Sequence, residues 1–168
     1  MKSKVKKPDI IIGIDPDCDR SGVAYLAPGT KTLIPFNITF IQLIDYLRKV
    51  KRDSIAQNES VVVIVEAGWL NTISNYHNVT GRGCCRVAKN VGANHQVGKI
   101  IVEMARYYGF EVVEQKPFKK TWKGANGKIT HDELAYFTNL EKKRTNQEER
   151  DAALIAWGYA DFPIKLKV

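Results

Sequence analysis

Residues 9–15 read DIIIGID, a continuous apolar run of strand length that ends on a carboxylate. Apolar residues without alternating polar ones are typical of a strand that is buried on both faces of a sheet. Residues 61–66, VVVIVE, have the same pattern. The right-handed crossover rule predicts that these two strands lie parallel and adjacent. Asp15 and Glu66 would then leave the sheet at the same edge, where ligand sites of such sheets lie.

The segments around this strand pair complete an α/β pattern. Ser21–Ala27 and Thr32–Ile38 predict two more strands in an antiparallel meander, and Pro35 favours an edge position for the second of them. The other predicted elements are a helix at 40–50, a helix at 97–108, a strand at 110–115 and helices at 130–138 and 145–160. Residues 67–89 have no clear period, and we expect this stretch to begin as loop. We expect a mixed five-stranded sheet of order 3-2-1-4-5 with helices on both faces.

The length of 168 residues favours one domain. We expect residues 1–8 to form a basic tail and residues 9–168 to form a single domain. The chain holds 26 Lys and Arg against 18 Asp and Glu, which gives a net charge of +8 at pH 7. Such a charge suits a polyanionic partner such as nucleic acid, or an anionic membrane surface.

Composition also bears on location. The longest uninterrupted aliphatic run, residues 61–65, is too short to cross a bilayer, and the basic start has no signal-peptide pattern after it. Three cysteines, two of them adjacent, argue against a disulfide framework and favour a cytoplasmic location. A zinc site built from Cys84, Cys85, His77 and His95 is disfavoured, because the usual paired-cysteine spacing is missing.

Two further acids lie on the predicted last helix. Glu148 and Asp151 extend the core-facing stripe of Ala152 and Ile155 toward the start of that helix. An acid on such a stripe is unusual unless it is paired or binds a metal. Together with the strand-end acids, these residues form a candidate cluster of oxygen ligands, which favours Mg²⁺ or Mn²⁺.

Most of these acids also have a structural interpretation. Glu148 follows Thr145 by three residues and could close a capping box, with or without binding a metal. Asp15, which precedes Pro16, could serve only to form a turn, and Asp151 could form an ion pair with Arg144 or Arg150. Glu66 is the hardest to explain structurally, since a carboxylate at the end of VVVIV has little structural use.

Positive charge is concentrated in two stretches that contain no Asp or Glu, residues 67–102 and 115–131. Lysines and arginines in such stretches can contact phosphates, and interleaved aromatic side chains can stack on bases. A solvated loop is the alternative for any single lysine. The candidate nucleic-acid-binding residues are Arg82, Arg86 and Lys89 in the first stretch and Lys116, Lys119, Lys120 and Lys123 in the second, which also holds Phe118, Trp122 and Lys128. An acidic metal site inside a basic surface is the layout expected for cleaving a phosphodiester.

Four motifs carry a resemblance to a known family. They are GIDPD around Asp15, the following SGVAYL, VEAGW around Glu66 and EERDAALIA around Asp151. In order and spacing, from Ile10 to about Tyr159, the chain resembles the RuvC-type Holliday junction resolvases of the ribonuclease H-like superfamily. The resemblance implies a ribonuclease H-like fold and a metal-dependent endonuclease that cleaves four-way DNA junctions as a homodimer, in DNA recombination or repair. It implies two ions, Mg²⁺ or Mn²⁺, that activate water.

The resemblance also assigns roles to residues. It places the catalytic, metal-binding carboxylates at Asp15, Glu66, Glu148 and Asp151. Trp69 stands where family members carry an aromatic residue that wedges into the junction; the alternative is packing of its indole under the following loop, and Tyr76 would then be the next candidate for the wedge. The nearest matches to the family's basic active-site residues are Lys116, Lys119 and Lys120.

This sequence departs from the family pattern at three places. Asp17 replaces a glycine after Pro16, Glu148 replaces an aspartate, and residues 71–86, with GRGCCR, match nothing in the pattern. Two further interpretations therefore stay open: a related ribonuclease H-like nuclease that acts on RNA or on other branched DNA, such as the YqgF-type group, or a non-catalytic nucleic-acid-binding relative. The ATPases of the actin and sugar-kinase fold share a G-I-D strand and hairpin, but they need two such domains, and 168 residues are too few.

Overall fold

The computed structural model describes residues 7–71 and 82–165. Its strands are β1 (Ile10–Asp15), β2 (Ser21–Ala27), β3 (Thr32–Ile38), β4 (Val61–Glu66) and β5 (Glu111–Gln115). Its α-helices are α1 (Phe40–Gln57), α2 (Arg82–Tyr107), α3 (His131–Phe137) and α4 (Gln147–Tyr159). None of the helices in these residues combines the length and the apolar character that crossing a membrane requires.

The described strands form one sheet in the predicted order β3-β2-β1-β4-β5. β1 runs antiparallel to β2 and parallel to β4, and β5 lies parallel to β4. Pro35 lies in β3 at the edge of the sheet, where its missing N–H group removes no bond from a further strand. The predicted mixed sheet and its topology are therefore confirmed.

Alternate residues of the central strands face opposite sides of the sheet. Ile11 and Ile64 pack with α3 and α4 in one hydrophobic core. Ile12 packs with α1 and α2 in the other core. Asp15 lies four residues after Ile11, and Glu66 lies two residues after Ile64. Because residues an even number of positions apart share a face of a strand, both acids project toward the face that α4 covers.

Helix α4 lies directly on β1 and β2, because two strand glycines leave room for its backbone. A Cβ atom at Gly13 would overlap the main-chain oxygen of Ala152, and a Cβ atom at Gly22 would overlap the main-chain carbonyl of Glu148. The closest approach is at the first turn of the helix, next to the edge of the sheet where β1 ends. The two glycines therefore set the position of the acids on α4.

Helix α2 begins earlier than its sequence pattern predicts. The apolar stripe predicts a helix at 97–108, and residues 67–89 have no clear period, but the helix already runs from Arg82. The sequence therefore does not predict the helix over residues 82–96, and residues 72–81 lie outside the described part of the chain. Cys85, Arg86 and Lys89 are exposed. A helical turn that buries no apolar stripe leaves no helical period in the sequence.

Candidate active site

The parallel pairing of β1 with β4 places two carboxylates side by side. Ile14 pairs with Val65, so the residues that follow, Asp15 and Glu66, end neighbouring strands in the same register. Burial raises the pKa of Asp15 well above its usual range, and the negative charges of Glu66 and Asp151 raise it further. Burial, followed by the charge of Asp151, raises the pKa of Glu66 to about 7. The shared edge of the sheet thus holds two carboxyl groups that resist ionisation.

The first turn of α4 brings two more acids to this edge. Glu148 lies over Gly22, and Gly22 pairs with Asp15 across β2 and β1. The charge of Glu148 contributes to the raised pKa of Asp15. Asp151 lines the same cavity as Asp15 and Glu66, and burial raises its pKa. The structure therefore places Asp15, Glu66 and Asp151 around one cavity, with Glu148 close enough for its charge to act on Asp15.

This cavity, of about 130 Å³, is lined by both acids and lysines, and we call it the lysine-side cavity. Its charged lining residues are Asp15, Glu66, Asp151, Lys119, Lys120 and Lys128. Lys128 Nζ lies 3.6 Å from Asp151 Oδ2. The positive charge of Lys128 lowers the pKa of Asp15, Glu66 and Asp151, and so opposes the effect of burial. Lys128 belongs to the predicted basic stretch, but no feature of the sequence separates it from the other lysines there.

Asp151 is held by Lys128 and by a glutamine of its own helix. Gln147 Nε2 donates to Asp151 Oδ1 at 2.7 Å, and Arg150 Nη2 donates to Gln147 Oε1 at 2.9 Å. Arg150 also donates through Nε to the main-chain oxygen of Ile129 at 2.8 Å. The ion pair of Asp151 is therefore with Lys128 and not with Arg144 or Arg150. Arg150 acts on Asp151 through Gln147 and through its charge, which lowers the pKa of Asp151.

The donor set of the cluster suits a hard divalent cation. Its acidic groups supply oxygen ligands, which Mg²⁺ and Mn²⁺ prefer. Buried carboxyl groups that lie close together resist ionisation, and a bound cation would stabilise their ionised form. Among the residues that the structure describes, no three such groups already converge in ligand geometry, and Asp151 is instead bound to Lys128 and Gln147. Asp15, Glu66 and Asp151 are the residues that fit as ligands of such an ion.

The helix cap of α4 is formed by a neighbour of Glu148. Asn146 is the N-cap residue, and its side chain accepts from Glu149 N at 2.9 Å. Glu149 Oε2 in turn accepts from Asn146 N at 3.1 Å, and Glu149 Oε1 accepts from Lys142 Nζ at 2.8 Å. The predicted capping box from Thr145 to Glu148 is therefore wrong by one residue. Glu148 has no part in the cap and is available to the acid cluster.

We expect Glu149→Ala to destabilise the protein and Glu148→Ala to leave its stability nearly unchanged. Glu149 is buried and makes the cap and an ion pair, so its loss should lower the free energy of unfolding by about 1–3 kcal/mol. Urea unfolding of both variants measures the difference, and each variant serves as the matched control for the other. A larger loss in Glu148→Ala than in Glu149→Ala would contradict the assignment of the cap.

The turn after β1 is organised by Asp17 rather than by Asp15. Asp17 Oδ1 accepts from the main-chain N–H groups of Asp19 at 2.8 Å and Arg20 at 3.3 Å. Asp17 Oδ2 accepts from Asn94 Nδ2 at 3.0 Å, and Asn94 Oδ1 accepts from Cys18 N at 3.1 Å. The residue that replaces the family glycine therefore ties this turn to α2. The turn-forming alternative for Asp15 has no support in these contacts.

Trp69 is held by contacts within the protein. Its Nε1 donates to Glu114 Oε2 at 3.0 Å, and Arg106 Nη2 donates to Glu114 Oε1 at 2.8 Å. Its ring lies so close to Gly98 that a Cβ atom there would come within 2.5 Å of Cζ3. These contacts favour the packing alternative for the indole. Tyr76, the other candidate for a wedge, lies outside the described residues, as does His77 of the disfavoured zinc site.

The candidate nucleic-acid-binding lysines and arginines differ in whether they line the cavity that holds the acids. Lys119 and Lys120 are exposed and line the lysine-side cavity, whereas Lys116 and Lys123 are exposed outside it. The predicted cations of the first stretch, Arg82, Arg86 and Lys89, lie on the early turns of α2; Arg86 and Lys89 are exposed there, and the side chain of Arg82 is outside the described part. Of the lysines in the predicted set, the structure brings Lys119 and Lys120 to the acids.

No protein-family model and no curated protein sequence matches this chain. Among solved structures, RuvC of T. thermophilus in complex with a Holliday junction substrate is 14% identical, with a TM-score of 0.50 over 90% of this chain and 92% of that one. Another structure of Thermus thermophilus RuvC is 16% identical, with a TM-score of 0.47 over 91% and 97% of the two chains. The Fowlpox virus resolvase, in complex with its substrate Holliday junction DNA, is 15% identical, with a TM-score of 0.37 over 90% and 97%. The strand order and the first of these similarities show that the chain has the ribonuclease H-like fold of RuvC.

Proposed function

We propose that this protein is a metal-dependent endonuclease that cleaves DNA phosphodiesters at four-way junctions. The observation that carries the proposal is the meeting of three partly buried carboxylates with three lysines around one cavity, at the edge of a RuvC-like sheet. A single nuclease site needs both kinds of residue: cations that hold the phosphate backbone, and acids that hold the ions for hydrolysis. The motifs that resemble the junction resolvases support the four-way junction as the substrate.

Each residue of the site has a role that follows from its position. Lys119 and Lys120, exposed at the rim, would bind backbone phosphates of the cleaved strand. Lys128 would hold Asp151 and offset part of the carboxylate charge. Gln147, fixed by Arg150, would orient the Asp151 carboxylate. Asp15, Glu66 and Asp151, with Glu148 beside them, would hold Mg²⁺ or Mn²⁺, which when bound activates water and stabilises the leaving oxygen.

The direct test uses purified protein and labelled substrates. We expect the protein to cut a four-way junction in the presence of Mg²⁺ and to leave it intact in EDTA. Linear duplex and RNA–DNA hybrid of matched sequence are the comparison substrates. Faster cleavage of the hybrid or of single-stranded RNA would favour the RNA-processing alternative. Binding of the junction without cleavage of any substrate would favour a non-catalytic relative.

We also propose that the active form is a homodimer, as the resemblance to the resolvases implies. A four-way junction is resolved by two cuts, and one chain offers one acid cluster in its described residues. Sedimentation velocity of the protein alone and of the protein with a junction measures the number of chains.

We expect replacement of both Lys119 and Lys120 with Ala to weaken junction binding more than it weakens folding. Two fewer phosphate contacts should lower the salt slope of log Kd by about 2 and the affinity by about 10- to 100-fold. The readout is fluorescence anisotropy at several salt concentrations. The matched control is Lys49→Ala with Arg52→Ala, which removes the same charge from exposed positions on α1, on the opposite face of the sheet. An unchanged slope in the first variant would show that these lysines point away from the DNA.

A further inference from the structure

The carboxylates of Asp15 and Glu66 separate two cavities. One is the lysine-side cavity; the other lies toward α2 and has a volume of about 180 Å³. We call it the α2-side cavity, and its other walls include Pro16, Trp69, Val91 and His95. A strand whose phosphate lay over the carboxylates would have one cavity on each side of the cleaved bond.

The two cavities differ in charge. Three lysines line the lysine-side cavity, whereas none of the described side chains that line the α2-side cavity is a lysine or an arginine. Its charged walls are the carboxylates themselves. A phosphate would be repelled there, since like charges at close range destabilise each other. The α2-side cavity suits an uncharged part of a nucleotide.

His95 supplies the available polar group of this cavity. Its side chain makes no hydrogen bond to another residue in the described ranges. Its Nε2 lies next to Gly68, where a Cβ atom would come within 2.7 Å of it. Burial, and then the charge of Lys99, lowers the pKa of His95. The neutral imidazole offers one hydrogen-bond donor and one acceptor.

The neighbours of His95 are already engaged. The Trp69 ring lies 6.1 Å from the imidazole at 76°, and its Nε1 is bonded to Glu114, so that Trp69 offers the cavity an apolar surface. Asn94 is bonded to Asp17 and Cys18, which fixes this turn of α2 beside the end of β1. The imidazole is therefore held against the cavity by a fixed helix and an apolar wall.

We propose that the α2-side cavity receives a nucleobase of the cleaved strand next to the scissile phosphate, and that His95 reads this base by hydrogen bonding. This inference rests on the proposed nuclease function and adds the determinant of sequence preference to it. Junctions favour such binding, because bases at a crossover cost less to unstack than bases in a continuous duplex.

The first test is the base preference of cleavage. After the cleavage position has been mapped, all four bases are placed in turn on each side of it, and kcat/KM is measured. We expect the wild-type protein to prefer one base by about tenfold or more at one of these positions, and His95→Ala to reduce that preference to about threefold or less. The matched control is Gln96→Ala, an exposed neighbour on α2 that lines neither cavity, which should keep the wild-type preference.

The second test measures binding without cleavage. A junction carrying 2-aminopurine next to the scissile phosphate is bound by the inactive variant Asp151→Asn. We expect the emission of the bound probe to differ by about twofold or more between Asp151→Asn and Asp151→Asn with His95→Ala, because the environment of the unstacked base changes. Thermal melting confirms that the variants are folded. If His95→Ala does not fold, His95→Gln replaces it, since glutamine keeps a donor and an acceptor. We expect His95→Gln to change the base that the protein prefers.

The outcomes separate this inference from the proposed function. Equal cleavage of all bases by the wild type, or the same preference in wild type and His95→Ala, would overturn the role of His95 and leave the nuclease intact. If the wild-type protein cuts no substrate, 2-aminopurine is placed at each crossover position in turn; a His95-dependent probe signal would then overturn the nuclease and leave the base site. Loss of both signals would overturn both.

Discussion

Asp15→Asn, Glu66→Gln and Asp151→Asn are each expected to lower the rate of junction cleavage by more than about 100-fold, while junction affinity stays within a few-fold of wild type. The residues that support metal ligands already cost about 10- to 100-fold when replaced, so the loss of a ligand itself should cost more. The lysines that we propose as the contacts to DNA remain in all three variants. Single-turnover cleavage and anisotropy at the same Mg²⁺ concentration measure the two effects.

Glu66→Gln should also stabilise the protein when no divalent ion is present. Glu66 is ionised at pH 8, although burial, followed by the charge of Asp151, raises its pKa from 4.5 to about 7. Because the folded state then binds more protons than the unfolded state, the free energy of unfolding falls as the pH rises from about 4.5 to 7. Glu66→Gln removes this loss, and we expect it to add about 1–3 kcal/mol at pH 8 in EDTA. Mg²⁺ should stabilise the wild type more than the variant.

Asp45→Asn is the matched control for these variants. It makes the same chemical change at an exposed position of α1, on the opposite face of the sheet, and should leave cleavage and stability as they are. A variant among Asp15→Asn, Glu66→Gln and Asp151→Asn that cuts junctions at the wild-type rate would remove that residue from the ligand set. A variant that loses binding together with cleavage would show that the acid shapes the DNA surface rather than the chemistry.

The strand-end acids could be predicted because their position depends on local rules. A buried apolar run shows where a strand ends, the crossover rule makes two such strands neighbours, and alternation along each strand decides which face a side chain takes. Asp15 and Glu66 satisfy all three rules. The topology of the sheet follows from the same reasoning, and for this reason the predicted strand order is confirmed.

Two features of the site could not be predicted from the sequence. Thr145 and Asn146 are both good cap residues, and each is followed three positions later by a glutamate, so the sequence does not decide between Glu148 and Glu149 as the partner. Lys128 looks like any other lysine of its stretch until the chain folds back and brings it to Asp151. In the first case two equally good local patterns compete, and in the second the deciding contact joins residues that no local period relates.

Gly22→Ala is expected to lower the cleavage rate by about 100-fold or more without touching any acid. Gly22 pairs with Asp15 in the sheet, and a Cβ atom there would overlap the main-chain carbonyl of Glu148. Backbone atoms cannot rotate away as a flexible side chain can, so the first turn of α4 must move outward. Glu148 and Asp151 then move away from Asp15 and Glu66. A displacement of about 1 Å in a catalytic arrangement costs about 100-fold in rate.

The change should also lower the free energy of unfolding by about 1–3 kcal/mol, because it adds a methyl group to a packed contact between helix and sheet. Cleavage is therefore measured well below the melting temperature and related to the folded fraction. Gly29→Ala is the matched control, since a Cβ atom at Gly29 meets nothing within 4 Å. Full activity of Gly22→Ala would show that the first turn of α4 does not need its close contact with β2 to hold the acids. A loss of rate no larger than the loss of folded protein would reduce Gly22 to a packing residue.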